Sequence, residues 1–459
     1  MDLRLALAIL IGKFIAILNK LTGSGATAAP GLYALKIDPN LVKKISKNVI
    51  HGSIIVSGTN GKTTTSRLIA DILSSKYKII HNRQGSNLMR GIASTFISHS
   101  SIVGKVDCDL AIWEVDEATL PKAIKHTSPK IIVLLNLFRD QLDRYGEVDT
   151  VRVKWQKALS FLPKSTTLIL NADDPGISIL AESFKGKVIH FGVDDKEINL
   201  PQIENVADIR HCLNCGSNLV YSTLLSAHMG HYSCPNCYFK RPIPQISAES
   251  LNFKPNFSTS IKLNVNDQLL NMAYQLPGLY NVYNVLAAVA VATPLNFDPQ
   301  TIKYHTEKFS AAFGRFQQIK IDGKNILIFL IKNPTGANEI IRTLALKNNF
   351  IILAILNDKI ADGRDVSWIW DTNWEILTQK VKKASISGIR AWDLATRLKY
   401  ADFKLSKNNI YKDIYYSIKR TLGNLNTKDT LIILPTYTAL LEVQKSLRKL
   451  GANTKWYEQ

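Results

Sequence analysis

The sequence predicts an α/β protein with a largely parallel sheet, a cysteine-rich insertion and a second, smaller α/β domain. Three observations predict this architecture. Short apolar runs of strand length alternate with helix-like stretches, as in parallel sheets whose strands are joined by helices. The alternation stops over residues 205–244, which hold four of the five cysteines, and it resumes further along the chain. We therefore expect a larger domain over residues 1–310 that carries the insertion, and a smaller domain over residues 311–459.

The first element is an apolar stretch over residues 3–18, interrupted by Arg4 and Lys13. It is shorter than the eighteen or more apolar residues that read as a membrane span. At about 100° per residue the two charges point to opposite sides of a helix, which favours a helix packed on its own domain or on a partner. Contact with a lipid-bearing substrate or with the bilayer surface is the alternative. We expect a cytoplasmic protein, with peripheral association at the inner face of the plasma membrane left open.

The formal net charge is +20, from 57 Lys plus Arg against 37 Asp plus Glu. Such an excess favours polyanionic partners, for example an anionic leaflet or a phosphate-rich substrate. Because the lysines are scattered and the chain is rich in Asn and Ile, enrichment of lysine by genome base composition explains the charge equally well. No nucleic-acid-binding motif is visible, so the charge alone predicts no binding to DNA or RNA.

Apolar runs of strand length follow the N-terminal stretch and are read as buried strands. In the larger domain they occupy residues 53–57, 110–115, 131–135, 168–170 and 187–191. In the smaller domain they occupy residues 325–331, 350–356, 384–386 and 431–434. Residues 63–74 and 281–293 have helical character.

A phosphate-binding loop joins the first buried strand to the first helix after it. The loop comprises Gly58, Thr59, Asn60, Gly61, Lys62, Thr63 and Thr64. Its glycines let backbone N–H groups turn toward phosphate oxygens, and the helix N-terminus adds positive potential. Lys62 is predicted to bind the β- and γ-phosphates, and the Thr63 hydroxyl to ligate Mg²⁺. The common pattern has four residues between its first Gly and the Gly-Lys pair, whereas this loop has two.

The insertion contains two Cys-x2-Cys pairs separated by eighteen residues. Their members are Cys212, Cys215, Cys234 and Cys237. This spacing is typical of a zinc ribbon, in which each pair places two thiolates on one side of a tight turn. Four thiolates leave no open coordination position, so the predicted zinc is structural; disulfides are the alternative. The neighbouring His211, His228 and His231 are not expected to be ligands.

The short loop resembles the central ATPase domain of the Mur ligase and folylpolyglutamate synthase superfamily. Later motifs strengthen the resemblance, because residues 171–175 resemble its LNxDDP turn and Asn281 and Asn284 open a helix like its GxHNxxNxxAA motif. The resemblance implies that Glu114, near the end of the second strand-like run, binds Mg²⁺ and takes part in catalysis together with Lys62. It also implies that Asn281 lies near the base of ATP. Arg315 resembles the hinge arginine that reaches the ATP phosphates.

The four-cysteine insertion and the C-terminal third narrow the resemblance to the MurT family. The segments that carry it are residues 332–336, 356–358, 361–371 and 434–441. The most specific piece is the stretch DGRDVSWIWD within the third of these segments. Only about fifty residues precede the phosphate loop, too few for a separate nucleotide-sugar-binding domain.

The resemblance implies an ATP-dependent ligase that works with a class I glutaminase partner, GatD. ATP would phosphorylate the α-carboxylate of D-glutamate in the stem peptide of lipid II, and ammonia from the partner would convert the acyl phosphate to D-isoglutamine. In that family a C-terminal Asp completes the Cys–His pair of the glutaminase. Asp362, Asp365 and Asp371 are the candidates for this residue, and Asp365 is preferred among them. The alternative for Asp365 is an aspartate that only stabilises a turn or caps a helix.

Two further functions stay open at this point. One is a stand-alone amino-acid ligase of the Mur or folylpolyglutamate type. The other is a zinc-ribbon interaction protein whose ATPase core is degenerate.

Overall fold

Two sheets organise the chain, one for each predicted domain. The computed structural model describes residues 2–22, 27–83, 86–140, 148–309 and 316–452. Within these residues the apolar runs expected to be strands are strands, and the predicted α/β class is confirmed.

The first sheet has nine strands in the described part of the chain, and a separate hairpin is inserted among them. The strands and the hairpin, in chain order, are β1 (Ser53–Ser57), β2 (Ile79–His81), β3 (Leu110–Glu114), β4 (Ile131–Leu134), β5 (Thr167–Asn171), β6 (Lys187–Val193), β7 (Val220–Ser226), β8 (Met229–Ser233), β9 (Ile246–Phe253), β10 (Thr259–Val265) and β11 (Gln268–Tyr274). The order in the sheet is β11-β10-β9-β6-β5-β4-β1-β3-β2, and its antiparallel pairs in the described residues are β9 with β10 and β10 with β11. The paired β7 and β8 belong to the insertion.

Helices cover both faces of this sheet. They are α1 (Leu3–Leu21), α2 (Ala29–Ile37), α3 (Leu41–Ser46), α4 (Lys62–Leu73), α5 (Met89–His99), α6 (Leu120–Thr127), α7 (Val148–Ser160), α8 (Pro175–Ser178), α9 (Leu279–Ala292) and α10 (Pro299–Lys308). Because helices lie on both sides, every residue of β1 and β4 is buried, which explains their unbroken Ile, Val and Leu runs. The helix α9 is apolar on all sides and is almost wholly buried against α4 and β6.

The second sheet has six strands in the described residues. They are β12 (Gln317–Ile321), β13 (Lys324–Ile328), β14 (Phe350–Ile355), β15 (Val381–Ser387), β16 (Ile410–Tyr411) and β17 (Thr430–Pro435), in the order β12-β13-β17-β14-β15-β16. The edge strand β12 is antiparallel to β13, and the other pairs are parallel. The helices of this domain are α11 (Pro334–Leu344), α12 (Ala391–Tyr400), α13 (Ile414–Gly423) and α14 (Tyr437–Lys449).

The N-terminal apolar stretch forms α1, as the sequence predicts, and extends three residues further than expected. It packs on α2 and α5, so the expected contact with its own domain is present. The contact is close at Gly12, where a Cβ atom would lie 2.7 Å from Cδ1 of Ile97. No helix in the described ranges combines the length and the apolarity needed to cross a bilayer.

Candidate active site

The phosphate loop lies at the carboxyl end of β1 and leads directly into α4. Gly58 has φ +141° and Gly61 has φ +89°, backbone conformations that residues with a Cβ adopt only with strain. A side chain at position 61 would also collide with the Asn284 side chain. The two glycines therefore let the loop curl tightly between the end of the strand and α9.

Lys62, the first residue of α4, is buried at the centre of the loop. Its Nζ lies 3.0 Å from Oε2 of Glu117, and it donates hydrogen bonds to the carbonyl oxygens of Gly58 and, at 3.2 Å, of Thr59. Burial by itself lowers the pKa of Lys62, but the charges of Glu117 and Asp140 outweigh this and raise the pKa above its ordinary value. The ammonium group therefore stays charged at the point where phosphate oxygens would meet the loop.

Thr63 and Glu114, the predicted magnesium ligands, contact each other. Oγ1 of Thr63 donates a hydrogen bond of 2.9 Å to Oε1 of Glu114. Glu114 ends β3, the parallel neighbour of β1, and Asn82 holds it by accepting from its N–H and donating to its carbonyl oxygen, both at 2.9 Å. A hydroxyl and a carboxylate are oxygen ligands of the kind that Mg²⁺ takes beside nucleotide phosphates, so the two residues fit this ion.

The smaller domain touches the phosphate loop through the residues that precede α11. Nζ of Lys332 lies 2.6 Å from Oδ2 of Asp140 and donates to the carbonyl oxygen of Thr59 at 3.3 Å. Nδ2 of Asn333 donates to Oδ1 of Asn60 at 3.0 Å. Glu117, Asp140 and Lys332 could not be assigned roles from the sequence, because their relation to Lys62 depends on contacts between distant segments.

A cavity of about 70 Å³ lies between the two domains and reaches the phosphate loop. Asn60 from the loop, Tyr280 and Asn284 from α9, Met229 from the insertion and Lys332 from the smaller domain all line it. Its walls combine aromatic and apolar surface with polar groups, as binding sites for small molecules and cofactors do.

Asn281 and Arg315 are the predicted ATP ligands that lie outside the phosphate loop in the sequence. Asn281 lies behind Asn284, from which it accepts a hydrogen bond of 3.0 Å, and it donates to the carbonyl oxygen of Pro277 at 2.7 Å. Asn284, and not Asn281, is therefore the asparagine of α9 that lines the cavity. Arg315 lies outside the described residues, so its contact with phosphate stays a prediction.

The four cysteines of the insertion converge, and their Sγ atoms all lie within 4.8 Å of one another. The Sγ atoms of Cys212 and Cys237 are 3.4 Å apart, as are those of Cys215 and Cys234, whereas a disulfide would bring them to about 2.0 Å. Four thiol groups at this spacing suit a single tetrahedral Zn²⁺ with bonds of about 2.3 Å.

His228 and His231 of the insertion contact groups other than the four cysteines. Nδ1 of His228 accepts from the N–H of Asp208 at 3.2 Å, and its Nε2 lies 3.6 Å from Oδ1 of Asp174. Nε2 of His231 lies 2.7 Å from the carbonyl oxygen of Val193. These rings join the insertion to the first sheet, and none belongs to the four-cysteine group in the described residues.

The insertion is fixed to the larger domain and to the smaller one. Nε of Arg241 lies 2.6 Å from Oδ1 of Asp173, whose other oxygen accepts from Tyr283 of α9 at 2.8 Å. Nη2 of Arg342 in α11 donates to Oγ of Ser226 in the insertion at 3.3 Å, and Nη1 of Arg342 lies 2.5 Å from Oε1 of Glu204, the residue directly before the insertion. The insertion therefore bridges the two domains beside the cavity.

The three candidate aspartates of the smaller domain differ in their surroundings. Asp362 is buried, and both of its oxygens accept hydrogen bonds from Thr438 at the start of α14. Asp365 is exposed, and its Oδ1 accepts from the N–H of Ser367 at 2.8 Å. The Ser367 hydrogen bonds lower the pKa of Asp365 below its ordinary value, so it is ionised at neutral pH. Asp371 is partly exposed and lies 3.9 Å from Nη2 of Arg139.

A second opening, of about 80 Å³, is lined by all three of these aspartates. Asp140 and Lys332 also line it, and Lys332 lines the cavity beside the phosphate loop as well. The Lys332 side chain is therefore part of the wall of both openings.

Known families match both parts of the chain. The Mur ligase middle domain matches residues 56–238, and the MurT ligase C-terminal domain matches residues 330–440. Among solved structures, a pseudomurein peptide ligase type C from Methanothermus fervidus superposes with a TM-score of 0.67 at 22% identity, over 89% of this chain and 81% of that one. MurF ligase from Thermotoga maritima, in complex with ADP, gives 0.65 at 14% identity, over 91% and 84%. These likenesses show the Mur ligase fold.

Curated relatives are similar over nearly the whole length. The chain is 34% identical, over 96% of its own length and 97% of the relative, to the lipid II isoglutaminyl synthase (glutamine-hydrolyzing) subunit MurT of Staphylococcus aureus. It is 33% identical to the protein of that name from Streptococcus pneumoniae, over 97% and 98%. With the phosphate loop, the cysteine cluster and the C-terminal domain all in place, the chain belongs to the MurT family.

Proposed function

We propose that this chain is the ligase subunit of a glutamine-dependent lipid II isoglutaminyl synthase. It activates the α-carboxylate of D-glutamate in the lipid II stem peptide with ATP, and a glutaminase of the GatD type supplies ammonia. The observation that carries the proposal is the joint position of Lys62, Thr63 and Glu114 at the carboxyl ends of two neighbouring parallel strands, where ligands of open α/β sheets bind.

The first chemical step is transfer of a phosphoryl group. A carboxylate oxygen of the acceptor attacks the γ-phosphorus of ATP, the bond to the β,γ-bridging oxygen breaks, and ADP leaves as the acyl phosphate forms. Lys62 holds a buried positive charge where the transferred group gains negative charge. Mg²⁺ bound by Thr63 and Glu114 would neutralise part of the phosphate charge.

The second step forms the amide. The lone pair of ammonia adds to the acyl carbon, phosphate leaves with the electrons of the C–O bond, and the nitrogen loses a proton. A carboxylate does not form an amide unaided, so the phosphate serves as the leaving group. Lys332 lies at the phosphate loop and also lines the opening that contains Asp365, which supports entry of ammonia from the side of Asp365.

We assign Asp365 to the glutaminase partner as the carboxylate that orients its histidine. Its exposure and its lowered pKa support this assignment, since an ionised carboxylate at the surface can accept a hydrogen bond from an imidazole of another subunit. Asp362 has both oxygens engaged within its own domain, which supports a structural role for it instead.

The test compares nitrogen sources and substrates. The purified chain is incubated with lipid II, ATP and Mg²⁺, with ammonium chloride or with glutamine, and with or without a GatD-type glutaminase; amidated product is measured by mass spectrometry. We expect amidation from glutamine only with the partner, and amidation from concentrated ammonium without it. If the chain alone joined an amino acid to a UDP-sugar peptide or to folate, the stand-alone ligase would be the correct function.

A further inference from the structure

One face of α1 is apolar and exposed along its whole length. The members of this stripe are Leu3, Leu7, Leu10, Phe14, Ile17, Leu18 and Leu21, with exposed fractions between 42% and 77%. At about 100° per residue they fall within one arc of roughly 100°. A soluble domain does not usually leave so many large apolar side chains exposed together, so the stripe indicates an interaction surface.

The opposite face of α1 is fixed to the larger domain. Leu5, Ala8, Ile9 and Gly12 are buried there, against α2 and α5. The helix is therefore held rigidly, and its stripe is presented outward without any rearrangement of the fold.

Basic side chains border the stripe on both sides. By the same helical geometry, Lys13 and Lys20 lie just beyond one edge and Arg4 just beyond the other. The segment of α1 contains no Asp or Glu, and neither does α2, where Lys36 adds a further positive charge. Arg4 and Lys13, which point to opposite sides of the helix, therefore border the same exposed stripe. The rest of the helix surface is covered by the larger domain.

We propose that the stripe of α1 binds the surface of an anionic lipid bilayer, with its apolar side chains among the acyl chains and its flanking basic residues at the lipid phosphates. Apolar side chains between rows of Lys and Arg are the pattern of a helix lying in a membrane interface. A second copy of the chain fits less well, because two such helices would bring Lys13 and Lys20 together with no acidic residue on α1 to pair with them. The inference goes beyond the proposed reaction and does not depend on it.

Further apolar side chains lie near the start of the helix. Leu5 packs on Gly104, where a Cβ atom would lie 2.9 Å from Cδ2 of Leu5. Beside that glycine, Ile102 and Val103 are each 47% exposed. The loop adds apolar surface close to the N-terminal end of α1.

The test is co-sedimentation of the full chain with lipid vesicles, in the absence of ATP and lipid II. Vesicles of equal parts phosphatidylglycerol and phosphatidylcholine are compared with vesicles of phosphatidylcholine alone. We expect binding to the anionic vesicles, and a loss of about tenfold or more in partitioning for Leu10→Glu with Phe14→Glu. Lys13→Glu with Lys20→Glu should weaken binding to the anionic vesicles selectively. Leu441→Glu is the matched control, since Leu441 is 46% and Leu10 45% exposed.

Unfolding midpoints establish that the variants are folded; Leu3→Glu with Leu21→Glu, at the most exposed ends of the stripe, provides an independent second pair. Equal vesicle binding by the wild type and by the two double variants of the apolar stripe would overturn the proposal, as would no binding by the wild type. A dimer of the wild type that these two double variants lose would assign the stripe to a second copy instead. None of these readouts uses the amidation reaction, so failure here is distinct from failure of the proposed function.

Discussion

Lys332 of the smaller domain forms an ion pair with Asp140 of the larger one, with 2.6 Å between Nζ and Oδ2. The same ammonium group donates to the Thr59 carbonyl oxygen within the phosphate loop. Asp140 also raises the pKa of Lys62, after the larger effect of Glu117. The position of the smaller domain is therefore linked electrostatically to the lysine that is proposed to hold the ATP phosphates.

The first prediction follows from this ion pair. Lys332→Ala and Asp140→Ala should each lower kcat/KM for amidation. In free energy, the loss in the double variant should be smaller than the sum of the two single losses. The expected coupling energy in the double-mutant cycle is about 1–3 kcal/mol, because each residue positions the other across the domain interface. Lys382 with Asp429, an ion pair within the smaller domain whose lysine is exposed, is the control pair and should show no coupling in kcat/KM. Full additivity at Lys332 and Asp140 would contradict a role for their contact.

Lys62→Ala should lower the rate of ATP consumption by about 10²–10³-fold, because the only buried ammonium group in the loop is removed. ADP release in the presence of lipid II and ammonium is the measurement. Lys105→Ala changes an exposed lysine of the same domain and should leave the rate unchanged. Retention of near wild-type turnover in Lys62→Ala would show that the loop does not serve phosphoryl transfer.

Glu114→Gln should increase the Mg²⁺ concentration needed for half-maximal activity, by about tenfold or more. The amide keeps the shape of the side chain and a hydrogen-bond acceptor for Thr63, but it loses the charge that attracts the ion. Activity is titrated with Mg²⁺ for this variant and for Asp107→Asn, whose carboxylate is exposed at the surface. An unchanged Mg²⁺ dependence in Glu114→Gln would remove Glu114 from the metal site.

Asp365→Asn should abolish amidation from glutamine in the two-subunit complex and leave amidation from ammonium intact. The physical reason is that the amide carries no charge to stabilise and orient the partner's imidazole. Asp371→Asn, on the same loop, is the matched variant and should keep both activities. If instead Asp371→Asn lost the glutamine reaction and Asp365→Asn kept it, the assignment would move to Asp371.

Removal of the predicted zinc should weaken nucleotide binding. Cys215→Ser should lose the bound metal, and the dissociation constant for ATP should rise about tenfold, or roughly 1.4 kcal/mol. The reason is that Ser226 and Met229 of the β7–β8 hairpin line the cavity beside the phosphate loop. Metal content by elemental analysis and ATP affinity by calorimetry are measured together. Cys108→Ser alters a buried cysteine outside the cluster and should retain the metal. Unchanged ATP affinity in a metal-free Cys215→Ser protein would show that the ribbon does not support the cavity.

Local patterns predicted much of this structure. The phosphate loop, the cysteine pairs and the buried strands depend on neighbouring residues, and the structure has each of them where expected. The antiparallel extension β9–β11 was not predicted, because its strands alternate between buried and exposed residues and contain no apolar run.

The site was harder to predict than the fold. Glu117 stands in the same acidic segment as Glu114, and only the folded chain shows which of the two meets Lys62 and which meets Thr63. Lys332 follows the loop by more than half the chain, so no spacing rule relates it to Asp140. Contacts that cross domains leave no periodic trace in the sequence.

Glu204 accepts hydrogen bonds from three residues in two parts of the molecule. Its carboxylate accepts from the N–H of Ala227 in the insertion at 2.9 Å, and from Arg342 and Asn373 of the smaller domain at 2.5 and 2.9 Å. If the smaller domain swung away, this carboxylate would lose two donors at once, so partial opening would cost more free energy than the contact area suggests. During release of products the smaller domain would then move between a few discrete positions, and it would not drift gradually away from the larger domain.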